Sequence, residues 1–141
     1  MEIILILVIC MLLLGRLTSV HAAGSVSYLD YGEDGTATVK TYSESEYKEF
    51  TRSTTTLTNG IWVVSESMTV KTRINISGNY VRLVIKDGVT LNLPAGIRLV
   101  TENDNRLYIY GQSEGTGTLI AGKNAADMCA GIGGNANEQC G

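Results

Sequence analysis

The chain has 141 residues, room for one domain, and a formal charge of −3 from 11 basic and 14 acidic side chains. Those cations form no basic patch with interleaved aromatics, so nucleic acid is excluded as a partner. There is a single histidine, His21, and there are three cysteines, so any histidine chemistry depends on the fate of one residue.

That fate is written in the first element. Residues 3–15, "IILILVICMLLLG", are apolar but too short to span a bilayer as a helix, which takes about 20 residues. "RLTSVHAA" follows, and Val20 and Ala22 are the small residues that a signal peptidase reads at −3 and −1. The preceding "ME" brings no cation, so an uncleaved anchor is the alternative. A lipoprotein reading of Cys10 fails because Ile9 is too bulky before a lipidated cysteine. We expect residues 1–22 to be a signal peptide, cut between Ala22 and Ala23, and the protein to be secreted or held at the cell surface. Cleavage removes Glu2 with Arg16, which leaves the charge at −3, and also removes His21 and Cys10. Without histidine there is no Ser-His-Asp or Cys-His nucleophile and no His-ligated zinc. We therefore expect no catalytic residue, no metal ligand and no enzyme. Cys129 and Cys140 remain, and in an oxidising compartment the expectation is a disulfide, stabilising by about 3 kcal/mol.

Residues 23–60 are polar and rich in Ser, Thr and Tyr; they read as a cap or linker. "DYGEDGTA" (30–37) is a turn. It is not a calcium loop, because Gly32 and Thr41 stand where such a loop needs carboxylate or amide oxygens. "SESEYKEF" begins a short helix with Ser43 and Glu46 as a capping box, or else an irregular edge. The threonines of 51–58 favour extended chain.

From Ile61 apolar residues alternate: Met68 and Val70; Ile74 and Ile76; Val81, Leu83 and Ile85; Val89, Leu91 and Leu93; Ile97 and Leu99; Leu107 and Ile109. Turn signals such as "SGN", "KDG", "LPAG" and "TENDN" separate them. A period of two over many short runs predicts an all-β domain. The units beginning at Trp62, Leu83 and Leu107 share one plan, and a period in the twenties marks a solenoid. The expected fold is a right-handed parallel β-helix of about three coils over 61–141, incomplete at its C-terminus. The alternative is a β-sandwich, disfavoured because hairpin signals are rare. Gly111, Gly115 and Gly117 then occupy a corner. They are not a phosphate loop, which needs Gly-Lys-Ser/Thr and a following helix.

"RINISGNYVRLVIKDGVTLNLPAGIRLV", "RLYIYGQSEGTGTLIA" and "AGIGG" resemble the opening coils of glycine-rich parallel β-helix surface proteins of Gram-positive gut bacteria, over about Thr54 to Gly134. The resemblance implies an exported, non-catalytic module of carbohydrate-binding, adhesin-like or structural character, with polysaccharide or host glycan as partner. It brings no catalytic residue. The alternatives are a polysaccharide lyase-like β-helix enzyme, or a truncated product without a function of its own.

The candidate ligand-binding residues follow from strand alternation. If Leu107 and Ile109 point inward, Arg106, Tyr108 and Tyr110 share the outward face; the repeat puts Trp62 there too, with Arg82 and Val84 between. Exposed Tyr and Trp suit stacking on sugar rings. The competing reading has these rings packing on the N-terminal segment, where Tyr42, Tyr47 and Phe50 need a surface. No cofactor is expected. Calcium has one local candidate, "TENDN" (101–105), among the scattered acids Asp87, Glu102, Asp104 and Glu114; the alternative there is a solvated corner. Asn75 heads the glycosylation sequon "NIS". Finally, a terminal coil presents unpaired backbone, so self-association through the C-terminal coil is expected.

Overall fold

The computed structural model describes residues 24–31, 34–100, 104–122 and 130–134. The expected signal peptide, its cleavage site at Ala22 and Ala23, and the pair Cys129 and Cys140 lie outside the described residues.

The strands run, in chain order, β1 (Ser25–Tyr31), β2 (Ala37–Ser43), β3 (Tyr47–Glu49), β4 (Thr56–Val64), β5 (Met68–Thr69), β6 (Ile74–Ile85), β7 (Thr90–Leu93), β8 (Ile97–Arg98), β9 (Leu107–Gly111), β10 (Thr118–Ala121) and β11 (Ile132–Gly133). The fold is all-β and its main sheets are parallel. One ladder has the order β11-β8-β6-β4-β3, with β9 also on β6; a second has the order β10-β7-β5. Each pairing joins a strand to its counterpart in the next sequence unit, as Thr69 faces Asn92 and Asn92 faces Ile120. A sandwich is built from antiparallel pairs. Among the described residues only the β1–β2 hairpin and a single bridge from Tyr28 to Gln112 are antiparallel.

Alternation explains what is buried. Leu57, Ile74, Val81, Leu83, Leu91, Leu93 and Ile97 are fully enclosed, each one stacked on like residues of neighbouring strands. No polar residue is buried among the described ones.

Three features depart from the sequence reading. The capping box forms, with the Ser43 N–H donating to Glu46 at 2.8 Å, but it starts only a 3₁₀ turn, Glu44–Glu46. Helix propagation needs more residues than that to offset nucleation, and Tyr47–Glu49 pair with β4 instead. The "SGN" of 77–79 is no break, since β6 runs through it. Asparagine side chains carry the chain round the bend: Asn59 Oδ1 accepts the Tyr80 N–H at 3.0 Å, and Asn105 Oδ1 accepts the Gly78 N–H at 2.7 Å. Lastly, the parallel ladder already includes β3, so the boundary drawn between residues 60 and 61 falls inside β4.

The glycine corner is pinned from the turn below. Gln112 Oε1 accepts the Asp87 N–H at 3.1 Å and Thr116 Oγ1 accepts the Gly88 N–H at 2.9 Å. In return the Asp87 carboxylate accepts the N–H groups of Glu114 at 3.0 Å and Thr116 at 3.3 Å. A Cβ on Gly117 would lie 2.7 Å from the Ile85 carbonyl oxygen, so close stacking there excludes a side chain.

Candidate ligand-binding face

The register of β3, β4, β6 and β9 sorts the aromatic residues onto two faces. Lys48, Trp62, Leu83 and Ile109 form one column. Leu83 belongs to the core, and Trp62 packs half-buried against that core. Trp62 therefore does not share a face with Tyr108 and Tyr110, as the repeat suggested. In register Trp62 stands opposite Leu83, an inward position. There it closes one end of the core, with its Nε1–H donating to the Thr58 carbonyl at 2.9 Å and the Lys48 ammonium 5.2 Å from the ring centre. A cation over an indole face in this position is favourable and keeps its charge in solvent.

The neighbouring outward column, Val63, Val84 and Tyr110, lies under the β1–β2 hairpin. Val26 and Tyr28 of β1 pack on Ile61, Val63 and Val84, with Tyr42, Tyr47 and Tyr110 at the margin. The Tyr110 ring lies 4.3 Å from that of Tyr28, centre to centre, and its hydroxyl donates to Asp30 at 2.9 Å. Tyr110 thus belongs to the covered surface, with the N-terminal segment as its cover. Phe50 goes further and joins the core.

What stays open is the other outward column. Tyr108 is 37% exposed and Tyr80 is 46% exposed. Their rings meet edge to face at 5.9 Å, and the Arg82 guanidinium carbon lies 3.7 Å from the Tyr80 ring centre. Beside them Arg106 is held by Asp104, Nη2 to Oδ1 at 2.9 Å and Nε to Oδ1 at 3.1 Å. The bonds to Asp104 and then Tyr108 push the guanidinium pKa further up, so Arg106 is a fixed cation. Tyr80 was missed in the sequence because it follows "SGN", read there as a break. The signal was its place two residues ahead of Arg82 in one unbroken alternation.

The corner considered for calcium is otherwise engaged at its described residues. Asp104 serves Arg106, and Asn105 bridges Gly78 N–H and the Val100 carbonyl; Glu102 lies outside the described residues. No group of three His, Cys, Asp or Glu converges among the described residues. Asn75 lies within β6, its amide donating to the Thr55 carbonyl at 3.4 Å.

Burial holds the phenol of Tyr28 neutral well above the ordinary value of about 10. Tyr110 shifts the same way, through burial first and its bond to Asp30 second. A raised phenol pKa favours the neutral ring in the folded state. The associated stability is fully present below the ordinary phenol value and is lost as pH rises through the raised ones. We expect the ultraviolet titration of tyrosinate to show a late phase that coincides with alkaline unfolding. Tyr28→Phe should remove much of that phase without loss of stability at neutral pH, because the buried Tyr28 hydroxyl finds no hydrogen-bond partner among the described residues.

Compared with known proteins, the chain matches no family model, no curated protein and no solved structure.

Proposed function

We propose that this chain is an exported, non-catalytic surface module that binds polysaccharide or host glycan. In this reading its parallel ladders are the opening coils of a right-handed parallel β-helix, akin to the glycine-rich surface proteins of Gram-positive gut bacteria. Stacked units pairing strand on strand in parallel support the architecture.

The observation that carries the binding role is the exposed pair Tyr80 and Tyr108, flanked by Arg82 and Arg106. Tyrosine offers a flat apolar ring with a polar tip at low entropic cost, a combination that suits the face of a sugar. Arg82 and Arg106 against the single carboxylate of Asp104 leave a net positive charge beside the rings, which favours a sugar bearing carboxylates, so uronate- or sialate-containing chains are the preferred class. Trp62, half-buried at the end of the core, is left out of the site, and Tyr110 serves the hairpin.

Affinity electrophoresis on soluble polysaccharides, with polygalacturonate as the acidic probe and a neutral glucan beside it, tests the reading. The acidic polymer should retard the protein, and Tyr80→Ala with Tyr108→Ala should weaken binding by at least about tenfold, or about 1.4 kcal/mol. Tyr31→Ala, 66% exposed on the hairpin, should leave it unchanged. No retardation by any polymer or by sialylated glycans, or retardation indifferent to the double variant, rules the site out.

A further inference from the structure

We propose that the β1–β2 hairpin shapes the exposed tyrosine face through two positioning residues, Asp30 and Tyr110, which hold the Arg82 guanidinium over Tyr80. Hairpin seating and ligand binding are thereby coupled. The coupling rests on the glycan-binding reading above; the positioning does not.

Register places Arg82 at a border. On β6 it stands opposite Tyr108, and Val84, two residues on, stands opposite Tyr110. The hairpin covers the second pair, with Val26 and Tyr28 of β1 packed on Val84 and Tyr110 at the margin. Tyr80 and Tyr108 stay open. Arg82 is therefore the outward side chain between a covered half and an open half of the same two strands.

Its side chain reaches both halves. Toward the open half the guanidinium carbon lies 3.7 Å from the Tyr80 ring centre. Its Nε is buried and has no hydrogen-bond partner among the described residues. Toward the covered half its charge works against the upward shifts of the Tyr28 and Tyr110 phenols, so it stands close to both hydroxyls. Among the described residues no carboxylate forms an ion pair with Arg82. Fixing so long a side chain costs rotamer entropy, and one contact with an exposed ring offsets only part of that cost.

The hairpin supplies the rest. The Tyr110 hydroxyl donates its one proton to Asp30 at 2.9 Å, and its ring lies 4.3 Å from that of Tyr28. A phenol whose proton is engaged offers only lone pairs to its other neighbours. Asp30 thus turns the Tyr110 oxygen into an acceptor, and Arg82, a donor only, is the cation beside it. Asp30 reaches this place on the docked β1, where it faces inward with Val26 and Tyr28. With the hairpin lifted, the Tyr110 hydroxyl turns to water and Arg82 is released from Tyr80. A ligand carboxylate that meets the docked form finds a cation already ordered, which lowers the cost of binding. By reciprocity the bound ligand tightens the hairpin.

Two variants of the full chain test this. Tyr110→Phe keeps the ring on Tyr28 and removes the acceptor, and Asp30→Ala frees the Tyr110 proton. Both should leave the far-ultraviolet circular dichroism spectrum unchanged. Without ligand, nuclear magnetic resonance of the isotope-labelled chain should show the Arg82 Nε–H exchanging slowly with solvent in the parent and fast in either variant. In affinity electrophoresis with polygalacturonate, each variant should weaken binding by at least about fivefold, and the two together no further, because both cut one relay. Polygalacturonate should in turn slow amide exchange in β1 and β2. Arg82 Nε–H exchange indifferent to both variants overturns the positioning, whatever binds. Binding that depends on Tyr80 and Tyr108 but ignores Tyr110→Phe and Asp30→Ala overturns the coupling alone. A parent chain that binds no polymer, with the exchange result intact, overturns the glycan reading and the coupling with it, and supports the positioning.

Discussion

Alanine at Gly96 is expected to lower the melting temperature far more than alanine at Gly88. Both glycines have left-handed backbone, φ 74° and φ 71°, so each substitution carries the conformational penalty of about 1–2 kcal/mol for a residue with a Cβ. At Gly88 nothing lies within 4 Å of the added carbon. At Gly96 the same carbon would run into the Gly131 carbonyl and lie 2.6 Å from the Gly122 carbonyl oxygen. Those atoms are backbone of the following strands and cannot rotate away: Ile97 N–H bonds to the Gly131 carbonyl at 2.8 Å, and Gly122 N–H to the Leu93 carbonyl at 2.9 Å. Overpacking adds about 1–3 kcal/mol, and each kcal/mol costs roughly four degrees in a domain this size. Calorimetry of the two variants side by side isolates the close approach from the dihedral. Equal losses would mean that the chain does not stack this tightly at the corner.

The second large effect lies in the core column. Leu83→Ala should destabilise by about 2–5 kcal/mol, the range for a buried leucine whose cavity cannot collapse. Leu83 is fully enclosed, between Trp62 on one side and Ile109 on the other. Ile109→Ala should cost about 1 kcal/mol, because much of that side chain is in water already. Denaturant midpoints decide this, and slopes should stay constant if the folded state is otherwise unchanged. A similar loss at both positions would show that Ile109 is covered in solution.

Much of this architecture was legible in residue order. Alternation at Val81, Leu83, Ile85, Leu91 and Leu93 announced strands, and all five residues are buried. The corner glycines were read as structural, and Gly117 against Ile85 supplies the contact that requires one. The capping box was also visible, though not the brevity of its helix, since the competing pairing of Tyr47–Glu49 with β4 joins residues far apart in the chain. Tyr42 and Tyr47 were seen to need a surface, and they found it around Val84.

The site was less legible, for a definite reason. By itself the sequence determined which positions alternate inward, where the chain must bend, and which aromatic residues were available for either role. Only the tertiary structure decided which aromatics face solvent. A parallel ladder matches strands some twenty residues apart, and that pairing sets Trp62 opposite the buried Leu83. Which outward residues a distant hairpin covers is likewise absent from local pattern. β1 lies over Val84 and Tyr110 and leaves Tyr80 and Tyr108 open, because Tyr28 and Val26 needed an apolar surface that no neighbour in sequence could offer.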